Sequence, residues 1–311
     1  VASGSRLFSE PHPTLKRELD APPLTLDFPA LPDQWRRTLL VFRCQRPPGL
    51  EEGPWLAMAL RGAWGRQLLT MAVAAVGGDN AADPFGRAQA VEVFFRTQAH
   101  VTRQLAVSKP FVIRVIFGPR LLTVQLTLFG FAGFWRPQAR DAMLAALAQG
   151  LPLREGGRLR VPYPVVDCHW GRAETVAVPE PAAEVLVRLR SPLCLRAALP
   201  IENNLDDFAM SLVNRLSGLA RWQGVRIETD WSGWRDLAKA LRITIVESGA
   251  YATRRFSTAQ PGRAMPYAGV LGAFTIAGPL APLMPLLALG ETAHAGARTA
   301  FGFGAYDLLV G

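Results

Sequence analysis

The sequence predicts an α+β chain of two tandem ferredoxin-like (RRM-like) domains with a C-terminal glycine-rich loop, and three observations carry that prediction. Apolar runs of strand length alternate with runs of helical period in the order strand, helix, strand, strand, helix across the first half. The same order returns in the second half, with one more strand at the end. The length, 311 residues, suits two domains of roughly 100–200 residues each. The expected division is an irregular N-terminal arm over 1–36, a first domain with its linker over 37–182, and a second domain over 183–311. Little residue-level repetition links the halves, so the repeat is one of pattern.

Each element has its own reason. Residues 1–36 are rich in proline and polar residues and read as an arm. Thr38–Cys44 is a strand, ended by Arg46-Pro47-Pro48-Gly49. Gly53–Val76 is a helix, opened by Pro54 and closed by Gly77-Gly78, with Leu56, Leu60, Trp64, Leu68 and Met71 mostly on one face. Val91–Phe95 reads as a short strand. Lys109–Val115 and Leu121–Gly130 form a hairpin about Gly118-Pro119-Arg120, and Arg136–Gln149 is a helix stopped by Gly150. Residues 151–182, rich in proline, glycine and arginine, read as the linker, with an apolar turn at Val165-Val166. The second domain opens with the strand Leu186–Leu189. The amphipathic helix Leu205–Trp222 follows, with Phe208, Leu212, Leu216 and Leu219 on one face. Trp231 and Trp234 read as core residues of a turn or short helix. Leu241–Val246 is a strand that continues raggedly to Ser257, Gly269–Ile276 is the next, Pro282–Ala293 a helix, and Ala305–Val310 the last strand.

Composition narrows the function. Half the residues are apolar and 19% are charged, so the chain can bury real cores. Net charge is +9, and only Lys16, Lys109 and Lys239 of its 34 basic residues are lysine. Arginine suits bidentate phosphate contacts and base stacking. A GC-rich genome explains the arginine preference equally well, but not the net charge, which points to a polyanionic partner. Cys44, Cys168 and Cys194 are far apart, with no CxxC, which implies a reducing cytoplasm rather than a disulfide framework or a zinc site. The N-terminal stretch has no apolar core and reads as no signal peptide. Ala264–Gly290 is uncharged and long enough for a membrane span. Pro266, Gly269, Gly272, Gly278, Pro279, Pro282 and Pro285 break it, so no membrane association is expected. HExxH and DxD patterns are absent, so no metal and no cofactor are expected.

The glycine-rich loop carries the chemistry. Gly296, Gly302 and Gly304 with Arg298 and His294 would offer exposed amides, a cation and an imidazole to a phosphate. It is neither a Walker loop, lacking GKT or GKS, nor a dinucleotide fingerprint, because its glycines precede the strand. The tract G-E-x-x-H-x-G from Gly290, followed by T-x-F-G-F-G-x-Y from Thr299, resembles the carboxyl end of the CRISPR repeat-processing endoribonucleases of the RAMP superfamily. L-R-G-A-x-G-x-x-L from Leu60 is similar to the first helix of these enzymes. So are Ser191-Pro192-Leu193, N-R-L-S-x-L from Asn214, R-R-F-S-T-A-Q from Arg254 and M-P-Y-A-G-V-L-G from Met265. The likeness covers 185–311 well and the first half thinly. A cysteine cluster that many relatives carry after the first helix is missing between Gly77 and Ala90.

The resemblance implies metal-independent cleavage of RNA. The 2′-hydroxyl attacks the adjacent phosphate, leaving a 2′,3′-cyclic phosphate and a 5′-hydroxyl. A base, cations for the phosphorane charge and an acid for the 5′-oxygen are needed. Family members often place a catalytic histidine on or just after the first helix, and this helix has none. Of the four histidines, His12 lies between prolines and His169 beside Cys168 on extended chain, where neighbours face opposite ways. His294 and His100 remain as catalytic candidates, with Arg61 and Arg66 from the helix. Arg254, Arg255, Ser257, Gly296, Arg298, Gly302 and Gly304 are the RNA-binding candidates. The implied partners are CRISPR repeat RNA or crRNA and other CRISPR effector subunits. Two rivals stay open: a non-catalytic crRNA-binding subunit of the superfamily, and an assembly protein whose charge reflects genome composition.

Overall fold

The computed structural model describes residues 12–74, 88–195, 206–256 and 264–311. The chain divides into two compact units, one of residues 1–175 and 217–228, the other of 176–216 and 229–311.

In the first unit the supposed arm is regular from residue 13. Helix α1, Pro13–Asp20, buries Leu15 and Leu19 completely. Strand β1, Leu24–Leu26, pairs in parallel with β11, Val225–Ile227. Arg221 donates from Nη1 to the carbonyls of Leu19 and Asp20, each at 3.2 Å. A cation there satisfies the open carbonyl end of α1. These contacts draw 217–228 into the first unit, although the sequence places that stretch in the second domain.

Chain order continues with β2 (Arg37–Gln45), α2 (Trp55–Ala74), α3 (Ala90–Phe95), β3 (His100–Thr102), β4 (Leu105–Ala106), β5 (Phe111–Phe117) and β6 (Leu121–Phe129). A 3-10 turn at Gly130–Trp135 leads into α4 (Arg136–Gln149), followed by β7 (Leu151–Pro152), β8 (Arg160–Val161) and β9 (Val165–Ala173). The main sheet has the order β5-β6-β2-β9, every neighbouring pair antiparallel. Beneath α2 and α4 the core is aromatic. Trp64 of α2 donates to the Ala139 carbonyl of α4 at 3.0 Å, and its ring packs on Phe94 and Phe111.

Two readings are corrected here. Val91–Phe95 is helical, not a strand. Gln89 and Glu92 form a reciprocal capping box that closes a helical turn ahead of the β-branched and aromatic residues. Residues 165–173, read as linker, supply the fourth strand of the sheet. That strand is an edge, paired only with β2 and mostly exposed, so it shows no alternation of apolar residues.

The second unit holds β10 (Glu184–Leu189), α5 (Asp206–Ala220, which ends in the first unit), α6 (Trp231–Ala240), β12 (Arg242–Phe256), β13 (Ala264–Ala277), α7 (Met284–Ala293) and β14 (Tyr306–Val310). Its sheet runs β12-β13-β10-β14, again antiparallel throughout. Counted in order of appearance, both sheets read second, third, first, fourth. That is the strand order of a βαββαβ ferredoxin-like layer, twice over. The ragged strand to Ser257 is one long strand with a bulge between Ile245 and Glu247; Ser257 itself lies outside the described residues. Trp231 and Trp234 are half-buried rather than core.

Candidate nucleic-acid interface

In the second unit the sequence motifs prove to be parts of one clasp. Helix α7 ends at His294, which takes a left-handed φ of 62°. The chain then returns to β14 through a 3-10 turn at Thr299–Phe301, flanked by Arg298 (φ 64°) and Gly302 (φ 86°). Gly304, at φ 74°, lies so close to the Ala295 carbonyl that any Cβ would overlap it. From the Ser191-Pro192-Leu193 tract, the Ser191 hydroxyl accepts from Ala305 N–H (2.9 Å) and the Pro192 carbonyl from Gly304 N–H (2.9 Å). Further along, the Cys194 carbonyl accepts from Ala297 N–H at 2.6 Å. Helix α5 supports the base of the loop. Ser211 accepts from Gly296 N–H at 3.0 Å, and the buried Arg215 of the N-R-L-S-x-L tract donates to the Ala293 carbonyl at 3.3 Å. Phe301 and Phe303, from F-G-F-G, pack at 5.6 and 6.1 Å on Tyr267 of M-P-Y-A-G.

This geometry corrects two expectations. The loop is not an open nest of amides. The N–H groups of Ala295, Gly296, Ala297, Phe301, Gly302, Gly304 and Ala305 all donate within the fold. Gly296, Gly302 and Gly304 therefore serve the turn rather than a bound phosphate. His294 is 3% exposed, with Nδ1 at 3.1 Å from the Phe303 carbonyl. Its ring fastens one end of the loop to the other and is not presented to a ligand. What the loop does present is Arg298. It is exposed, and its guanidinium lies 4.7 Å above the Tyr267 ring. A non-glycine residue held at positive φ costs energy that the surrounding fold must supply. The field of Arg298 pulls the Cys194 thiol down, but burial prevails and pushes it up to about 11, so the thiol stays neutral.

In the first unit the two helix arginines part company. Five residues apart on α2, they point about 140° from one another. The pKa of Arg66 is lowered, first by burial and then by the repelling charge of Arg160. Arg61 lies 4.8 Å over the Phe95 ring. That ring is fixed from beneath, because a Cβ on Gly65 would meet it at 2.8 Å. The two residues after Phe95 bring further cations. Arg96 pairs with Glu92 at 3.3 Å with only 13% of its side chain exposed, and Thr97 accepts from Lys109 Nζ at 3.3 Å. Lys109 has its pKa pushed down to about 8, first by burial, then by Arg61, then by Arg96. Glu92, already occupied by the Gln89 N–H at 2.9 Å, is the carboxylate paired into this group. Among the described contacts, these three cations share the Glu92 carboxylate, and their mutual repulsion favours an anion beside them.

Sequence reasoning named Arg61 but missed Arg96 and Lys109. The available signal was the rarity of lysine and the position of Lys109 two residues before β5. His100 stands exposed on β3, opposite Ala106. Arg254 and Arg255 lie in β12 opposite Pro266 and Met265. Among the described residues no three His, Cys, Asp or Glu side chains stand together as a metal site, and no helix is long and apolar enough to cross a membrane.

Residues 187–306 match the family model of the CRISPR-associated endoribonuclease Cas6, a span that includes the whole clasp. The matched span is similar to that family. The resemblance read from the motifs is thereby borne out. In fold the chain is similar to a Thermus thermophilus Cas6 (TTHB231) product complex. The TM-score is 0.51 and the identity 16%, over 88% of this chain and 99% of that one. A Cas6 (TTHA0078) product complex matches at the same score and identity, over 88% and 100% of the two chains. These likenesses agree with the tandem ferredoxin-like fold. No curated protein sequence matches the chain. Within the matched span, the clasp accounts for why the motifs occur together: each supplies a partner to another.

Proposed function

We propose that the protein binds CRISPR repeat RNA and cleaves precursor crRNA without a metal ion. The 2′-hydroxyl attacks the adjacent phosphate, so that the 2′-oxygen–phosphorus bond forms and the bond from phosphorus to the 5′-oxygen breaks. The observation that carries this reading is the Cas6 family match over 187–306. The folds of two Cas6 product complexes support it. Arg61 and Arg96 stabilise the charge that develops on the phosphorane. Lys109, whose ammonium is the most acidic cation of that group, gives its proton to the departing 5′-oxygen, and the 2′-hydroxyl proton leaves to water. Arg298 on its aromatic seat holds a backbone phosphate. The free cysteines fit work in a reducing cytoplasm.

The second reading is a non-catalytic crRNA-binding subunit of a CRISPR effector complex. It is favoured by two features: α2 carries no histidine, and the loop histidine is buried. The test is incubation with labelled repeat RNA in EDTA, beside the same RNA with a 2′-deoxy residue at the cut site. The nuclease predicts metal-free cutting of the first and none of the second. Tight binding without cutting would select the non-catalytic subunit, and neither binding nor cutting would defeat both.

A further inference from the structure

Strand β9 forms one edge of the first sheet, and its outer side pairs with no strand among the described residues. The Gln45 N–H bonds to the Pro164 carbonyl at 2.8 Å, so alternate residues of β2, from Gln45 back to Arg37, turn their backbone groups toward β9. Their partners Asp167, His169, Gly171 and Ala173 turn inward to meet them. Cys168, Trp170 and Arg172 therefore aim N–H and C=O outward, where a further strand would lie. Folded chains commonly blunt such an edge with lysine, proline or a bulge. β9 contains neither lysine nor proline, and its bulge falls at Val166, near the start, which leaves 167–173 in regular register. The side chains are open as well. Val166 is 52% exposed and Trp170 46%, and the Arg136 guanidinium at 3.7 Å holds the indole in place.

This edge is complementary to itself. A two-fold axis normal to the sheet sets the strand antiparallel to its own copy and keeps each side chain on its own face. With the axis at Cys168, Asp167 falls opposite the partner's His169, and His169 opposite the partner's Asp167. Within the chain, His169 Nδ1 lies 2.9 Å from one Asp167 oxygen, and both side chains are about half exposed. The second carboxylate oxygen and Nε2 are available to the neighbour. Trp170 falls opposite the partner's Val166, an aromatic against a β-branched residue. Arg172 falls opposite the partner's Pro164, away from any like charge. Cys168 meets its own copy, and burial pushes that thiol up, so the two meet uncharged. Neighbouring registers fit worse. An axis at His169 sets imidazole on imidazole, and one at Trp170 sets Asp167 and His169 opposite Ala173 and Gly171.

We infer that two copies of this chain associate edge to edge through β9, antiparallel about Cys168, joining their four-stranded sheets into one continuous sheet. Neither RNA nor the function proposed above enters, so the free full chain is the sample. Sedimentation over a range of concentrations should show a reversible dimer. Asp167→Lys and His169→Glu should each weaken it about tenfold, because the axis repeats every lost pair. Both positions are half exposed, and unchanged thermal melting will show that each variant folds. An equimolar mixture of the two variants should recover the dimer. The new lysine of one chain then faces the new glutamate of the other, and the remaining His169 faces the remaining Asp167. A role for these residues within one chain cannot produce that recovery. Diamide gives a second reading. It accepts the two protons and two electrons that a pair of Cys168 thiols lose as their sulfurs join, across a strand spacing of about 5.5 Å that suits a disulfide. A linked dimer is expected from the parent and from Cys44→Ser, and none from Cys168→Ser. A parent that stays monomeric, or a mixture no stronger than either variant alone, overturns the inference and leaves the edge to a strand of another protein.

Discussion

Gly290→Ala is expected to destabilise the protein by about 2–4 kcal/mol, although alanine is the better helix former. The position lies inside α7, where replacing glycine should gain up to about 1 kcal/mol in helix propensity. Packing opposes that gain. A Cβ at Gly290 would run into the hydroxyl of Tyr306 and into Leu212. Neither neighbour can yield cheaply. Tyr306 is 1% exposed and donates to the Leu287 carbonyl at 2.6 Å, and Leu212 is fully buried. Overpacking costs about 1–3 kcal/mol, and a displaced buried hydroxyl about as much again. The packing terms win. Urea unfolding of Gly290→Ala, Tyr306→Phe and the double variant checks the cause as well as the size. Removing the hydroxyl opens the space the new methyl needs, so the double variant should lose clearly less than the sum of the singles. Additive losses would mean that the Tyr306 hydroxyl is not what excludes the methyl. A Gly290→Ala variant as stable as the parent would remove the steric account altogether.

The same pair shows what can be read from a sequence. Gly290 looks like a flaw in a helix, and Tyr306 like sheet packing. Only the fold shows that each is the reason for the other. Patterns that depend on one element's own period were legible: β2, the β5–β6 hairpin, α4 and α5 stand where apolar spacing puts them. Elements whose order comes from a neighbour were not. β9 is polar because an exposed edge has only one strand to satisfy, and α3 is helical because Gln89 and Glu92 cap it against the preference of Val91, Val93 and Phe95. The candidate site divides in the same way. Arg298 and Arg61 could be named because an arginine in a motif is visible in one dimension. That His294 would be buried, and the loop amides occupied, follows from partners at Phe303, Cys194 and Ser211 that lie remote in the chain or out of helical register. Lys109 was invisible as a site for the converse reason. Its character comes from burial and from Arg61 and Arg96, not from its own neighbours.

Lys109 therefore carries the sharpest functional prediction, and it has two parts of opposite sign. Its pKa in the folded chain is about 8, against about 10.4 in an unfolded one. Between those values the unfolded state binds more protons. Stability should therefore rise as pH climbs from about 8 toward 10, and Lys109→Met should abolish that rise. RNA affinity should move the other way. A phosphate favours the ammonium, so below about pH 8 free and bound protein both carry the charge and affinity is level. Above it the free amine must take up a proton to bind, and affinity should fall by up to about tenfold per pH unit. Titration with uncleavable 2′-deoxy repeat RNA from pH 7 to 9.5, at fixed ionic strength, reads this directly. The parent should show a break near 8; Lys109→Met should bind more weakly and without one. Lys109→Arg separates charge from proton transfer. It keeps a cation at every pH, so binding should stay firm and lose the break. Guanidinium gives up its proton too reluctantly to serve the 5′-oxygen, so cleavage should fall on the order of 10²–10⁴-fold. A break that persists in Lys109→Met would take this residue out of the RNA site. Full cleavage by Lys109→Arg would leave it a place in binding and none in proton transfer.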